Sequence, residues 1–222
     1  MFRSKSMNEI PKIFVISPKE LTSRREAIKA HLEALWLDPI LFSGIYGNDV
    51  GLMSSRAKND SLYSTLSPNG MALGLNHWFL WNHIVLANIP TAIILEDDVL
   101  LSDNFKEIFA ENMVNIPDNW DIVYLSNLFP DRIDDGRIMA EKIKGNIWHH
   151  KGAKTWDGGI DGTHAYMVSL EGAKKMINIP FTLDEPIDRW MSFNILPKIN
   201  VYIWHPSLIK PRSSIGEWKT TR

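Results

Sequence analysis

Cysteine is absent from the 222 residues. That excludes a disulfide framework, a thiolate metal site and a cysteine nucleophile, and it fits a reducing compartment. An excess of either charge is also missing: 24 Lys and Arg face 26 Asp and Glu, a net charge of -2. Without a polycationic surface, nucleic acid is not the expected partner. Met1 to Pro11 carries Arg3, Lys5 and Glu9 and lacks an apolar run of signal-peptide length, so the expected location is cytoplasmic. Met71 to Leu95 has no Asp, Glu, Lys or Arg and is long enough to span a bilayer. It is interrupted by Asn76, His77, Asn82, His83, Asn88 and Pro90, which suits a buried helix followed by a strand rather than a membrane span. Several catalytic signatures are missing as well. There is no Walker loop, no Rossmann glycine fingerprint, no His-Glu-x-x-His and no Gly-x-Ser-x-Gly elbow. A diphosphate ligand would therefore need a metal and basic side chains in place of a glycine cradle.

What is present reads as a globular α/β protein, 45% hydrophobic and 23% charged. The length suits one large domain, with a core from Lys12 to Ile209 and a basic, polar tail from Lys210. The expected fold is a central, mostly parallel twisted sheet flanked by helices. Apolar runs at Lys12–Ser17, Pro39–Ser43, Thr91–Leu95, Trp120–Ser126, Ala165–Ser169 and Val201–Trp204 read as strands. Helical spacing follows Thr22 or Ser23, with Glu26 placed for a capping box with Ser23. Further helices are expected over Leu73–Ala87, from a cap at Ser102 or Asp103 to Val114, over Leu170–Ile177 and over Asp184–Phe193. Asn48–Gly70 and Pro130–Gly159 read as long loops, the first able to hold one short helix and the second a hairpin, and long loops often carry function. Nine tryptophans supply aromatic planes that suit either core packing or a sugar cleft.

The sharpest chemical signal is Glu96-Asp97-Asp98 at the end of the strand Ile93-Ile94-Leu95. Three adjacent carboxylates repel and raise one another's pKa; a divalent cation removes that cost and uses the oxygens as hard ligands. Strand carboxyl ends line the ligand crevice of an open α/β sheet. Alternation places Glu96 and Asp98 on one side and Asp97 on the other. Glu96 and Asp98 could share a metal, or one acid could hold a ribose; a helix cap or solvated turn is the competing structural role. Arg24 and Arg25 are candidate phosphate contacts or ordinary exposed helix arginines. His205, after the last strand, could approach the acids or be structural. Asp188 could serve as a general base or a salt-bridge partner. Asp157 and Asp161 lie in a glycine-rich loop that could approach a sugar closely or simply turn.

Along the chain, Ile13-Phe14-Val15-Ile16-Ser17 with Arg24-Arg25 is followed by Gly70 to His77 with Trp81 and by Ala92 through Val99. After them come Trp120 to Leu125, Gly162-Thr163-His164-Ala165-Tyr166, Glu171 to Lys175 and Pro186-Ile187-Asp188. Taken in this order, these segments resemble glycosyltransferase family 25, the lipooligosaccharide and collagen galactosyltransferase type. Two features depart from the family: Asn76 replaces its usual Ser before the His, and a Gly-Cys is missing around Leu73 and Gly74.

The resemblance implies a glycosyltransferase A-type fold and an inverting transfer of a hexose, galactose from UDP-galactose first, to a glycan hydroxyl. It implies Mn²⁺ or Mg²⁺ on Glu96 and Asp98, with His205 as third ligand. Donor contacts would come from Arg24, Arg25, Asn76, His77 and Asp97. Asp188 would be the base, with Asp161 in reserve. Two other functions compete: a catalytically inactive nucleotide-sugar or glycan binder, and a metal-dependent phosphoesterase. The partners expected are a nucleotide sugar and a glycan acceptor, with no transmembrane segment. The basic tail, with Lys210, Arg212, Lys219 and Arg222, could touch an anionic lipid surface or remain solvated.

Overall fold

The computed structural model describes residues 9–50, 66–129, 131–153, 159–182 and 184–212. Asp157, most of the Asn48–Gly70 loop and the tail beyond 212 lie outside the described residues.

Strands β1 (Lys12–Ile16), β2 (Pro39–Phe42), β3 (Thr91–Glu96), β5 (Ile122–Tyr124), β6 (Ile138–Lys144), β7 (Ile147–Ala153), β8 (Ala165–Ser169) and β9 (Val201–Trp204) form an eight-stranded sheet. Its order is β2-β1-β3-β8-β5-β9-β7-β6. A separate ribbon pairs β4 (Val99–Leu101) with β10 (Ile209–Pro211), antiparallel. Successive side chains of a strand point to opposite faces. Phe14, Ile16, Ile94, Tyr124, Tyr166 and Val168 pack on one face, and Ile13, Val15, Ile93, Leu95, Val123 and Met167 on the other. Helices cover both, which is why the central strands are continuously apolar.

The sheet is mixed, not mostly parallel. β1 pairs parallel with β2 and β3, and β5 with β9. β8, however, runs antiparallel between β3 and β5, and β6–β7 is an antiparallel hairpin inside the loop read as able to hold one. A strand buried on both faces is equally apolar in either direction, so β8's orientation had no sequence signature.

Helix α1 (Thr22–Ala34) buries Ile28 and Leu32. The Ser23–Glu26 capping box does not form; Leu21 occupies the N-cap without a side-chain bond. The first turn instead aims its arginines at the sheet end. Helix α2 (Pro68–Leu86) begins earlier than its apolar periodicity indicated, because Ser67 accepts from the Gly70 N–H at 3.1 Å and Pro68 fits the first turn. Helix α3 (Phe105–Met113) has Asn104 as its N-cap, with no side-chain cap bond; the expected capping by Ser102 or Asp103 is not seen. Short α4 (Asp131–Asp134) precedes the hairpin. Helix α5 (Leu170–Ile177) is capped by Ser169, which accepts from Gly172 N–H at 2.9 Å. Helix α6 (Ile187–Trp190) continues through a π turn, Met191–Ile195, and a 3₁₀ turn, Leu196–Lys198. Among the described residues, no helix is long and apolar enough to cross a membrane.

Candidate functional site

Glu96 ends β3, and Asp97 and Asp98 form the turn into β4. Beside them lies the C-terminal end of the parallel β1, where Ile16 is in register with Glu96. On the other flank the antiparallel β8 presents its first residues: Leu95 pairs with Ala165, and Glu96 N–H donates to the His164 carbonyl at 2.8 Å. Strand direction therefore delivers Thr163 and His164 to the acids. Thr163 Oγ1 donates to Glu96 Oε1 at 2.7 Å. One ligand atom each from Glu96, Asp98 and His164 lies within 4.8 Å of the others, which is metal-binding spacing.

Gly162 makes this approach possible. Its φ is +86°, and a Cβ there would meet His164 Nδ1 at 2.4 Å. An L side chain would need both strain and displacement of the imidazole.

The three acids lie in different electrostatic surroundings. Burial would raise the Glu96 carboxyl, but the His164 imidazole, then His77, with the Thr163 hydroxyl, draw it down to about 2. Burial first, and the Glu96 charge second, push Asp98 up to about 6. Asp97 is raised by burial, against the pull of the Arg24 guanidinium and Ser17. Arg24 is hydrogen-bonded to Asp97 and stands 3.7 Å from Asp98 Oδ2. Asp98 Oδ1 is buried with no hydrogen-bond partner among the described residues, an arrangement that costs free energy unless a cation arrives.

The cluster forms one wall of a cavity of 630 Å³. Arg24, Asn76, Asp97, Asp161 and Asp188 line it as well, with Tyr46 and Asn69. Asn76 accepts from Ile45 N–H at 2.7 Å and donates to its carbonyl at 2.9 Å, holding the cavity's loop wall. Asp188 Oδ2 accepts from Gly162 N–H at 3.0 Å, and Asp188 Oδ1 from Arg189 N–H at 2.9 Å. Asp161 is ion-paired with Arg132.

Three sequence candidates sit elsewhere. Arg25 donates to the Ser17 and Leu41 carbonyls, tying α1 to the ends of β1 and β2. His77 lies behind the cavity wall, fully buried. His205 does not join the acids: its Nε2 is 3.2 Å from Asp134 Oδ1 and its ring meets Trp148 edge-on. Strand β9 ends at the correct end of the sheet, but it is three strands from β3, roughly 14 Å at about 4.8 Å per strand. His164 takes the place foreseen for it. Its signal was the polar pair Thr163-His164 directly before an apolar strand, readable only once β8 is known to be antiparallel.

A family model for glycosyltransferase family 25 (LPS biosynthesis protein) matches residues 10–191. Among curated proteins, procollagen galactosyltransferase 1-A of Xenopus laevis is 23% identical over 192 residues, 81% of this chain and 30% of its own length. Human procollagen galactosyltransferase 2 is 23% identical over 81% of the chain and 29% of its own length. The probable inactive glycosyltransferase 25 family member 3 of Rattus norvegicus is 26% identical over 57% of the chain and 21% of its own length. The chain thus spans less than a third of each of these relatives.

Proposed function

The chain belongs to glycosyltransferase family 25, and from that premise we propose that it transfers a hexose from a nucleoside-diphosphate sugar to a glycan hydroxyl, with UDP-galactose as the first donor to test. The observation that carries this reading is the convergence of Glu96, Asp98 and His164 on the wall of a 630 Å³ cavity. The mixed sheet with helices on both faces suits a glycosyltransferase A-type domain.

Two carboxylates and an imidazole suit Mn²⁺ or Mg²⁺, and the unpartnered Asp98 Oδ1 is an oxygen suited to ligate one. Bound there, the cation would stabilise negative charge developing on a departing diphosphate. Arg24 holds Asp97 and contributes a positive charge to the same wall. Asp188 is the proposed base for the acceptor hydroxyl: an inverting displacement needs its base away from the leaving group, and Asp188 comes from a segment distant in sequence from the acids. Asp161 is the weaker choice, because Arg132 already neutralises it.

The test is sugar transfer and UDP release from UDP-galactose with Mn²⁺ or with chelator, for the native protein and Asp98→Ala. The expected result is turnover only in the native protein with metal. Equal turnover in all four conditions sinks the metal assignment. The similarity to a relative named inactive supports a second reading, a nucleotide-sugar binder without catalysis. UDP binding with no transfer across a broad acceptor panel would favour it.

A further inference from the structure

Behind the acidic wall lies a fully buried polar chain that joins no ligand directly. Tyr166 is on β8, and His77 and Trp81 are on α2, one helical turn apart; all three are fully buried. Trp81 Nε1 donates to Tyr166 Oη at 2.8 Å, and Tyr166 Oη lies 2.9 Å from His77 Nδ1. The far nitrogen, His77 Nε2, is buried without a hydrogen-bond partner and stands 3.9 Å from Glu96 Oε1.

Donor and acceptor inventories fix the protons. The indole N–H can only donate, so Tyr166 Oη accepts from Trp81. The phenolic hydrogen then needs an acceptor, and among the described residues His77 Nδ1 is the group in reach. If Nδ1 carried a proton, the hydroxyl would accept twice and leave its own hydrogen buried and unpaired, which costs free energy. Nδ1 therefore accepts, and the proton of the neutral ring sits on Nε2, facing Glu96.

We propose that Tyr166 and Trp81 lock His77 as its Nε2–H tautomer, and that His77 thereby acts as a positioning residue for the metal-binding carboxylate of Glu96. Thr163 already donates to Oε1 at 2.7 Å. The Nε2–H, 3.9 Å away, faces the same oxygen with its positive end and leaves Oε2 as the atom presented to a cation. Ligand orientation of this kind is a common determinant of metal affinity. The role rests on the metal reading of the site proposed above; the tautomer does not.

Two measurements separate these. Long-range ¹H–¹⁵N NMR on the imidazoles of the full chain, assigned with His77→Gln, reports the tautomer without any metal. The expected signal is protonated Nε2 and bare Nδ1; a protonated Nδ1 overturns the lock. Mn²⁺ titration followed by electron paramagnetic resonance then reports affinity. His77→Phe is expected to weaken Mn²⁺ binding about 10- to 100-fold. His77→Gln, whose amide can replace the Nε2–H donor, is expected to recover most of the loss. Tyr166→Phe should restore freedom to the imidazole and fall between the two. If His77→Phe and His77→Gln bind Mn²⁺ equally, the positioning role is wrong although the metal reading stands. If the native chain binds no Mn²⁺, both the metal reading and the positioning role fall, while the NMR result still decides the tautomer.

Discussion

The two ends of the sheet each bury a carboxylate, and they treat it in opposite ways. Asp121 precedes β5 at the end remote from the cavity, with its side chain 3% exposed. Lys175 Nζ reaches both of its oxygens, at 2.8 and 2.7 Å, and Asn200 N–H donates to Oδ2 at 2.8 Å. At the other end, Asp98 is almost as buried yet has an unpartnered oxygen and Glu96 for a neighbour. A carboxylate with both oxygens bonded to donors serves the fold. One left short of donors, beside another acid, is arranged for something the protein itself does not supply.

The hardest test of that contrast is kinetic. Asp98→Ala is expected to lower metal-dependent transfer by roughly 10²–10³-fold, the usual cost of removing one group that stabilises developing charge. The same substitution should leave the melting temperature unchanged or higher. Asp121→Ala should do the reverse. Removing one partner of a buried, hydrogen-bonded charge costs about 3–5 kcal/mol. Because Lys175 is 48% exposed and can return to water, about 3 kcal/mol is expected by denaturant titration, with transfer per folded molecule retained. If Asp121→Ala proves silent in stability, the contrast fails. Gly172→Ala probes the satisfied end again: a Cβ there would meet the Asp121 carbonyl oxygen at 2.2 Å. Overpacking against backbone should cost about 1–3 kcal/mol, read as a lowered denaturation midpoint.

The same contrast explains what could be read from the sequence. β1 and β3 were legible because burial on both faces writes continuous apolar runs, and Glu96 to Asp98 were legible because three acids after such a run are costly. Lateral order and strand direction leave no such trace. His205 follows a strand that ends at the right end of the sheet but lies three strands away; His164 precedes a strand that runs backwards. The α1 start was misread for a related reason. Local capping chemistry pointed to Ser23 and Glu26, whereas the first turn is held by a long-range bond from Arg24 to Asp97 and by a bond from Arg25 back to the Ser17 carbonyl at the end of β1.

The smallest effect sharpens the comparison most, because its sign is unusual. In chelator, Asp98→Asn should stabilise the protein at pH 7. The folded Asp98 carboxyl is raised from 3.8 to about 6, so the metal-free fold binds a proton that the unfolded chain has already released. The stabilising contribution is complete below about pH 4 and is lost as pH rises through 6. At pH 7 the native protein therefore carries an ionised Asp98 at a cost of about 1–2 kcal/mol relative to pH 5, the attraction of Arg24 being already contained in the value of about 6. The amide removes the charge and that cost. Urea unfolding between pH 5 and 7 should show native stability falling with pH more steeply than that of Asp98→Asn, with the two curves converging toward pH 5. Saturating Mn²⁺ should reverse the ranking at pH 7, since ligand at about 100 times its Kd adds about 2.7 kcal/mol to the protein that binds it. Parallel curves in chelator, or an Asp98→Asn protein less stable than the native one at pH 7, would mean that Asp98 is held as comfortably as Asp121.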